Sequence, residues 1–165
     1  MGKDAGHLNI KGILGSLEST VEIEDLFYYN PNSITSSTVL DIPDFPQNFQ
    51  ATFKVKNPET TGATAWLVVG KDTNTHLFAG QVGYSGTMGI YVRVNGSYET
   101  SQVQDHVLAR NTDNLITFTS NNNVHSVNYG NVTKTVTSST ITSREYVATS
   151  IGSGNYIKEL KIHGL

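Results

Sequence analysis

The segment GIYVRVNGSYET, residues 89–100, carries residue types that could bind a sugar. Successive side chains of a strand face opposite sides of a sheet, so Tyr91 and Arg93 share one face and the aliphatic residues between them share the other. An aromatic ring stacks on the flat C–H face of a sugar ring, and a guanidinium donates hydrogen bonds to sugar hydroxyls. This pair therefore predicts a ligand-binding surface on one face of a sheet.

Other aromatic and polar residues of the same region are candidates for that surface: Trp66, His76, Gln81, Tyr84 and Tyr98. If the segment THLFAGQV forms the neighbouring strand, His76 or Gln81 could lie beside Tyr91 and Arg93. Two plainer interpretations compete with ligand binding. Trp66 lies between apolar residues and would also suit the core, and tyrosine is frequent on exposed strands because it suits sheets.

Catalytic residue patterns are weak in this sequence. Glycoside hydrolysis uses two carboxylates about 5–10 Å apart, and the nearest approximation is VEIEDLF, in which Glu22 and Glu24 share a strand face. Two acids on an edge strand also discourage pairing with other sheets. No Gly-x-Ser-x-Gly elbow occurs, and the histidines lack a metal-ligand spacing such as HExxH. We therefore expect no catalytic residue and no enzymatic activity.

A metal site is left open by the sequence. The oxygen ligands that calcium prefers occur as Asp72 and Asn74 in one turn segment and as Asp113 and Asn114 in another. Both clusters are also typical of turns in which the side chain bonds the nearby backbone. Calcium is thus a possible cofactor by composition, and no other cofactor is expected.

Composition limits the classes of partner. The chain has 165 residues, a formal net charge of −3 and no cysteine, which indicates a single domain without disulfides or thiolate metal sites. The charge gives no basic patch for a phosphate backbone, so nucleic acid is not an expected partner. No stretch approaches the roughly 20 apolar residues of a membrane span, and the first residues lack the layout of a signal peptide.

The elements that must position the candidate residues are strands. Apolar residues recur at every second position in FQATFKV, AWLVV and LITFT, which predicts inward-facing Phe49, Phe53, Leu67 and Phe118. Turn-forming residues separate these runs, and Asn95-Gly96 predicts a type I′ hairpin. The fold class that follows is all-β, an antiparallel β-sandwich.

The order of these motifs resembles a known family. The strand containing Trp66, the hairpin at 89–100 and the closing NYIKELKIHGL are together similar to the concanavalin A-like, laminin-G-like jelly roll. The likeness covers roughly residues 20–165, with 1–19 as an N-terminal lead-in segment. Such modules recur in carbohydrate-binding domains and in phage tail and receptor-binding proteins.

The resemblance implies a non-catalytic module that binds a cell-surface or cell-wall glycan. It also implies a location on a virion tail or at the cell surface, in a homo-oligomer that is often a trimer. Two alternatives stay open. One is a structural tail or baseplate module whose exposed aromatics, such as the tyrosines of LFYYN, are subunit contacts. The other is a glycoside hydrolase or lyase on the same fold.

Overall fold

The computed structural model describes residues 26–58, 63–82 and 86–165, and within these ranges the regular structure is entirely β. The lead-in segment 1–19, the acids Glu22 and Glu24, and Tyr84 lie outside the described residues. The strands are β1 (Leu26–Asn30), β2 (Thr38–Val39), β3 (Phe49–Lys56), β4 (Ala65–Gly70), β5 (His76–Gln81), β6 (Met88–Val94), β7 (Ser97–Gln104), β8 (Asp113–Asn121), β9 (Val124–Tyr129), β10 (Val132–Thr137), β11 (Tyr146–Ile151) and β12 (Ile157–Gly164).

Two six-stranded antiparallel sheets form a sandwich. The first sheet has the order β1-β12-β3-β8-β9-β10, and the second has the order β2-β11-β4-β5-β6-β7. Sheets of this kind bury one face against each other and leave the opposite faces for solvent or ligands. The predicted fold class is confirmed. In the ranges above, no helix is long and apolar enough to cross a lipid bilayer.

The core lies between the sheets and follows the period-two pattern of the sequence. Phe49, Ala51 and Phe53 of β3 are fully buried, while Gln50 and Thr52 alternate with them half-buried on the outer face. Phe118 of β8 packs edge-on against Phe49, with ring centroids 5.1 Å apart. The second sheet contributes Leu67 from β4 and Ile90 from β6, both fully buried. The apolar side of the segment at 89–100 therefore belongs to the core, as predicted.

A two-residue turn joins β6 to β7. Asn95 has φ 49° and Gly96 has φ 82°, so both central residues adopt the positive φ that a type I′ turn requires. The twist of this turn matches that of the strands, and it sets Arg93 opposite Tyr98 in the register. The predicted hairpin is confirmed, and it brings an arginine and a tyrosine together on one face.

A buried polar cluster fixes the tautomer of His125 in β9. The Ser120 hydroxyl lies 3.0 Å from Nδ1, and Nε2 lies 3.2 Å from the carbonyl of Ser138. A carbonyl only accepts, so Nε2 carries the proton and Nδ1 accepts from the hydroxyl. The Arg144 guanidinium donates to the same hydroxyl oxygen at 3.1 Å. Burial is the main cause that lowers the pKa of His125; the Arg144 charge lowers it further, while Glu99 acts in the opposite direction.

Candidate functional site

The outer face of the second sheet presents three rows of side chains across five strands. The rows follow from the antiparallel registers of β11, β4, β5, β6 and β7. In order across the sheet they are Tyr146, Gly70, His76, Arg93 and Tyr98; then Ala148, Val68, Phe78, Tyr91 and Ser101; then Ser150, Trp66, Gly80, Gly89 and Val103. We call this surface the aromatic face, because six of its side chains carry rings.

A shallow depression of about 200 Å³ lies within the aromatic face. All five strands contribute to its lining, which consists of Trp66, Val68, His76, Phe78, Arg93, Tyr98 and Ser150. Apolar rings thus form most of the floor and sides, while a guanidinium, an imidazole and a hydroxyl supply the polar groups. This combination of a mostly apolar wall with a few polar groups is typical of small-ligand sites.

The rings pack against one another and hold each other in place. Phe78 and Tyr91 are stacked, with centroids 4.9 Å apart and planes 2° from parallel. Trp66 lies 4.6 Å from Phe78, and Tyr98 lies 5.6 Å from Tyr91. Aromatic pairs at such distances contribute roughly 0.5–1.5 kcal/mol beyond the area they bury. The platform is therefore largely pre-formed before any ligand arrives.

Glycine makes room for these rings. A Cβ at Gly89 would lie 3.0 Å from Cε2 of Tyr91 and 2.9 Å from Cγ1 of Val103, so the space above this backbone is already filled. Gly80 separates Trp66 from β6 in the same row, and its φ of 145° disfavours a side chain. The Trp66 ring reaches to 5.7 Å from Tyr91, two strands away. Small residues in the third row thus let the large rings of two rows meet.

His76 lies beside Arg93 and supplies an acceptor. Its Nδ1 donates to the backbone carbonyl of Asp72 at 3.1 Å, which leaves Nε2 as the acceptor of the neutral ring. Burial lowers the pKa of His76, and the Arg93 charge acts in the same direction, while the contacts with Asp72 oppose the shift. At neutral pH the imidazole is therefore uncharged, with one nitrogen fixed by the loop.

The structure places five of the predicted ligand-binding residues on the aromatic face. Tyr91, Arg93 and His76 lie on the aromatic face as expected, and Tyr98 is 67% exposed there. Trp66 also lies on this outer face, half-buried, which corrects the interpretation of it as a core residue. The apolar residues next to Trp66 in the sequence suggested a core position, but the outer face around Trp66 is also apolar. Contact of these residues with a ligand stays a prediction.

The position of Gln81 corrects its prediction as a ligand-binding residue, because its side chain points into the sandwich. It is fully buried, its Nε2 donates to Oδ1 of Asn57 at 3.0 Å, and its Oε1 accepts from Nδ2 of Asn155 at 2.9 Å. The Asn57 amide in turn donates to the carbonyl of Leu108. We call Asn57, Gln81 and Asn155 the buried amide network. Gln81 therefore cannot reach a ligand on the aromatic face.

The possible calcium ligands have protein partners. Oδ1 of Asp72 accepts from the backbone N–H groups of Asn74 and Thr75, at 2.7 and 2.9 Å. The carboxylate of Asp113 contacts Lys158 and the Tyr156 hydroxyl. These contacts agree with the turn-forming interpretation of the first segment. Over the described residues, no group of three His, Asp or Glu side chains is arranged to hold a metal ion.

Sequence reasoning missed Phe78, Val68 and Ser150, which line the depression. Phe78 follows His76 by two residues, so it shares a strand face with a residue that was a candidate, and this spacing could have identified it. Val68 has the same relation to Trp66. Ser150 lies on β11, which pairs with β4 from 84 positions further along the chain. No local pattern reveals a pairing of that separation.

Comparison with known proteins identifies structural relatives only. No family model and no curated protein matches the sequence. Among solved structures, CG-16, a homodimeric agglutinin from chicken liver, is 15% identical, with a TM-score of 0.57 over 77% of this chain and 99% of that one. A carbohydrate-binding module of the Ruminococcus gnavus IT-sialidase, CBM40, bound to α2,3-sialyllactose, is 13% identical, with a TM-score of 0.62 over 84% and 91%.

The carbohydrate-binding module CBM66 from Bacillus subtilis is 8% identical, with a TM-score of 0.63 over 83% of this chain and 91% of that one. Identities this low establish a shared fold and leave the ligand open. The relatives are galectin-like agglutinins and carbohydrate-binding modules built as two packed antiparallel sheets, the arrangement described above. The chain has the concanavalin A-like, jelly-roll β-sandwich fold.

Proposed function

We propose that the protein is a non-catalytic carbohydrate-binding module whose ligand lies in the depression of the aromatic face. The observation that carries this proposal is the group of mutually packed rings of Trp66, Phe78 and Tyr98 around a depression edged by Arg93 and His76. Rings of this kind stack on the C–H face of a sugar, while Arg93 donates to hydroxyls and Nε2 of His76 accepts from them. The depression therefore offers both a hydrogen-bond donor and an acceptor to a sugar ring that stacks on these rings.

The names of the structural relatives support this proposal. They include an agglutinin and a module bound to sialyllactose, all on the same fold at low identity. The non-catalytic part is supported by the lining of the depression, which within the described residues includes no Asp or Glu. Glycoside hydrolysis uses a pair of carboxylates. A hydrolase would therefore have to place its acids elsewhere, and Glu22→Gln and Glu24→Gln with a polysaccharide turnover assay test that alternative.

A glycan array that includes bacterial wall saccharides tests the proposal. Wild type is compared with Trp66→Ala and Tyr98→Ala, and the control is Leu115→Ala, an exposed apolar residue of β8 on the first sheet. Loss of one aromatic ring that stacks on a nucleobase costs about 1–3 kcal/mol, and a similar cost for a sugar ring would weaken binding by each site variant about fivefold or more. Equal binding by all three variants, or no binding by folded wild type, contradicts the proposal.

We propose further that the module acts in several copies, displayed on a virion tail or a cell surface against a cell-surface or cell-wall glycan. A depression of this size engages few sugar rings, so a homo-oligomer such as a trimer would raise weak single-site affinity. Light scattering of the purified chain measures the number of copies. A monomer that binds surfaces as tightly as it binds free sugar contradicts multivalent display.

Subunit assembly is a second candidate function, favoured by the exposed rings of β1. Phe27 is 41% exposed and Tyr29 is 48% exposed, and both lie on the first sheet, away from the depression. Tyr28, between them, packs against the core of its own chain. If assembly is the function, Phe27→Ala with Tyr29→Ala should lower the oligomer mass and leave glycan binding per chain unchanged.

A further inference from the structure

We propose that the glycan bound in the depression ends in a carboxylated sugar, whose carboxylate pairs with the two terminal nitrogens of Arg93. This inference rests on the proposed function and names its ligand class. Arg93 lies beside aromatic rings, and no carboxylate among the described residues neutralises it. The following observations carry it.

The contacts of Arg93 leave the end of its guanidinium available. Nε donates to the carbonyl of Gly96 at 3.0 Å, across the β6–β7 turn. This is the hydrogen bond found for Arg93, and no carboxylate of the described residues lies within ion-pair distance of it. A bond at Nε fixes the plane of the guanidinium and leaves the two Nη groups side by side. That fork is the geometry that matches a carboxylate bidentately.

Three acids of the β4–β5 loop, of β7 and of the residue that follows β7 accept hydrogen bonds from groups other than Arg93. Asp72 receives two backbone N–H groups of its own loop, and Asp105 accepts from the Thr87 hydroxyl. The carboxylate of Glu99 accepts from two hydroxyls that follow β10. Although the whole chain is acidic by formal charge, Arg93 is the one formally charged side chain in the lining at neutral pH. The positive charge in the lining thus favours an anionic group at this site.

The neighbours of Arg93 define the rest of the ligand. His76 and Tyr98 are its register partners on either side, and Trp66 and Phe78 continue the lining. A pyranose ring that covers the aromatic lining would hold a carboxylate toward Arg93 and a hydroxyl toward Nε2 of His76. Uronic acids and sialic acids both have this chemistry, a ring with one carboxylate. The shared class is a terminal acidic sugar.

Matched glycan pairs test this assignment. One pair is a glucuronic acid-terminated disaccharide and its glucose-terminated counterpart, and the other is sialyllactose and lactose; titration calorimetry measures each affinity. We expect at least one acidic member to bind about tenfold to a hundredfold tighter than its neutral partner. Added salt should weaken that binding more than the neutral one. The pair that shows the preference distinguishes uronic from sialic acid.

Variants locate the preference at Arg93. Arg93→Gln should abolish the preference for the acidic member, Arg93→Lys should retain part of it, and Lys161→Gln, on the first sheet, should leave it unchanged. Circular dichroism checks that each variant folds. Equal binding of acidic and neutral glycans, or a preference that survives Arg93→Gln, overturns the acidic assignment while the proposed function stands. Absence of any glycan binding overturns both.

Discussion

The substitution Gln81→Met separates the buried amide network from the ligand site. Methionine has nearly the length of glutamine and removes both hydrogen-bonding groups. It would leave Oδ1 of Asn57 and Nδ2 of Asn155 without their partners, in residues that are 1% and 4% exposed. An orphaned buried polar group costs about 1–3 kcal/mol. Two of them give about 2–6 kcal/mol, a large part of a typical domain stability of about 5–15 kcal/mol.

Thermal unfolding followed by circular dichroism measures this effect. At roughly 2–4 °C per kcal/mol for a chain of this size, a mid-range loss of about 4 kcal/mol lowers the Tm by about 8–16 °C. The matched control is Gln102→Met, an exposed glutamine of β7, which should change stability by less than about 0.5 kcal/mol. Well below its Tm, Gln81→Met should bind glycan like wild type, because the side chain faces the interior. A Tm within about 2 °C of wild type would refute the network argument.

Three further predictions concern pH, packing and the turn. Because burial lowers the pKa of both His125 and His76, the unfolded chain binds these protons more readily, so the free energy of unfolding should be at its maximum above about pH 6.5 and fall as pH drops below it; urea midpoints between pH 5 and 8 measure this, and a flat profile contradicts it. Gly89→Val should displace the Tyr91 ring, weakening both its near-ultraviolet dichroism and glycan binding. Gly96→Ala meets no neighbour, so it should cost only the backbone strain of positive φ, about 1–2 kcal/mol by denaturant unfolding.

Periodicity predicted the parts of the fold in which one face of a strand is polar. In β3, phenylalanines alternate with polar residues, and the structure buries the former and half-exposes the latter. The same reasoning placed Tyr91 and Arg93 on a face opposite Ile90. It failed in β5, where all six residues are buried. The core buries the side chains on one face of that strand, and neighbouring rings of the aromatic face bury Phe78 on the other. The segment HLFAGQ therefore shows no alternation of apolar and polar residues from which the inward direction of Gln81 could be predicted.

Some contacts around the depression can be predicted from a short segment of sequence, and others join residues that are far apart in the chain. Arg93 and Tyr98 lie opposite each other because a two-residue turn fixes their register, and the sequence Asn95-Gly96 predicts that turn. One residue further, a β-bulge places Thr100 opposite Val92 and leaves Glu99 as the extra residue. The Glu99 carboxylate is bonded by hydroxyls about 40 positions away, so the bulge depends on contacts that no short segment encodes.

The opposite wall of the depression depends on sheet order in the same way. Trp66 and Ser150 are register partners only because β11 returns to pair with β4. The β6–β7 hairpin therefore supplies Arg93 and Tyr98. The pairing of β4 with β5 supplies the apolar lining of Trp66, Val68 and Phe78, and the long-range pairing of β11 adds the hydroxyl of Ser150. We therefore expect changes at Arg93 to alter which sugar is bound, while changes at Trp66 of β4 or Phe78 of β5 should remove the stacking surface and with it binding to any sugar.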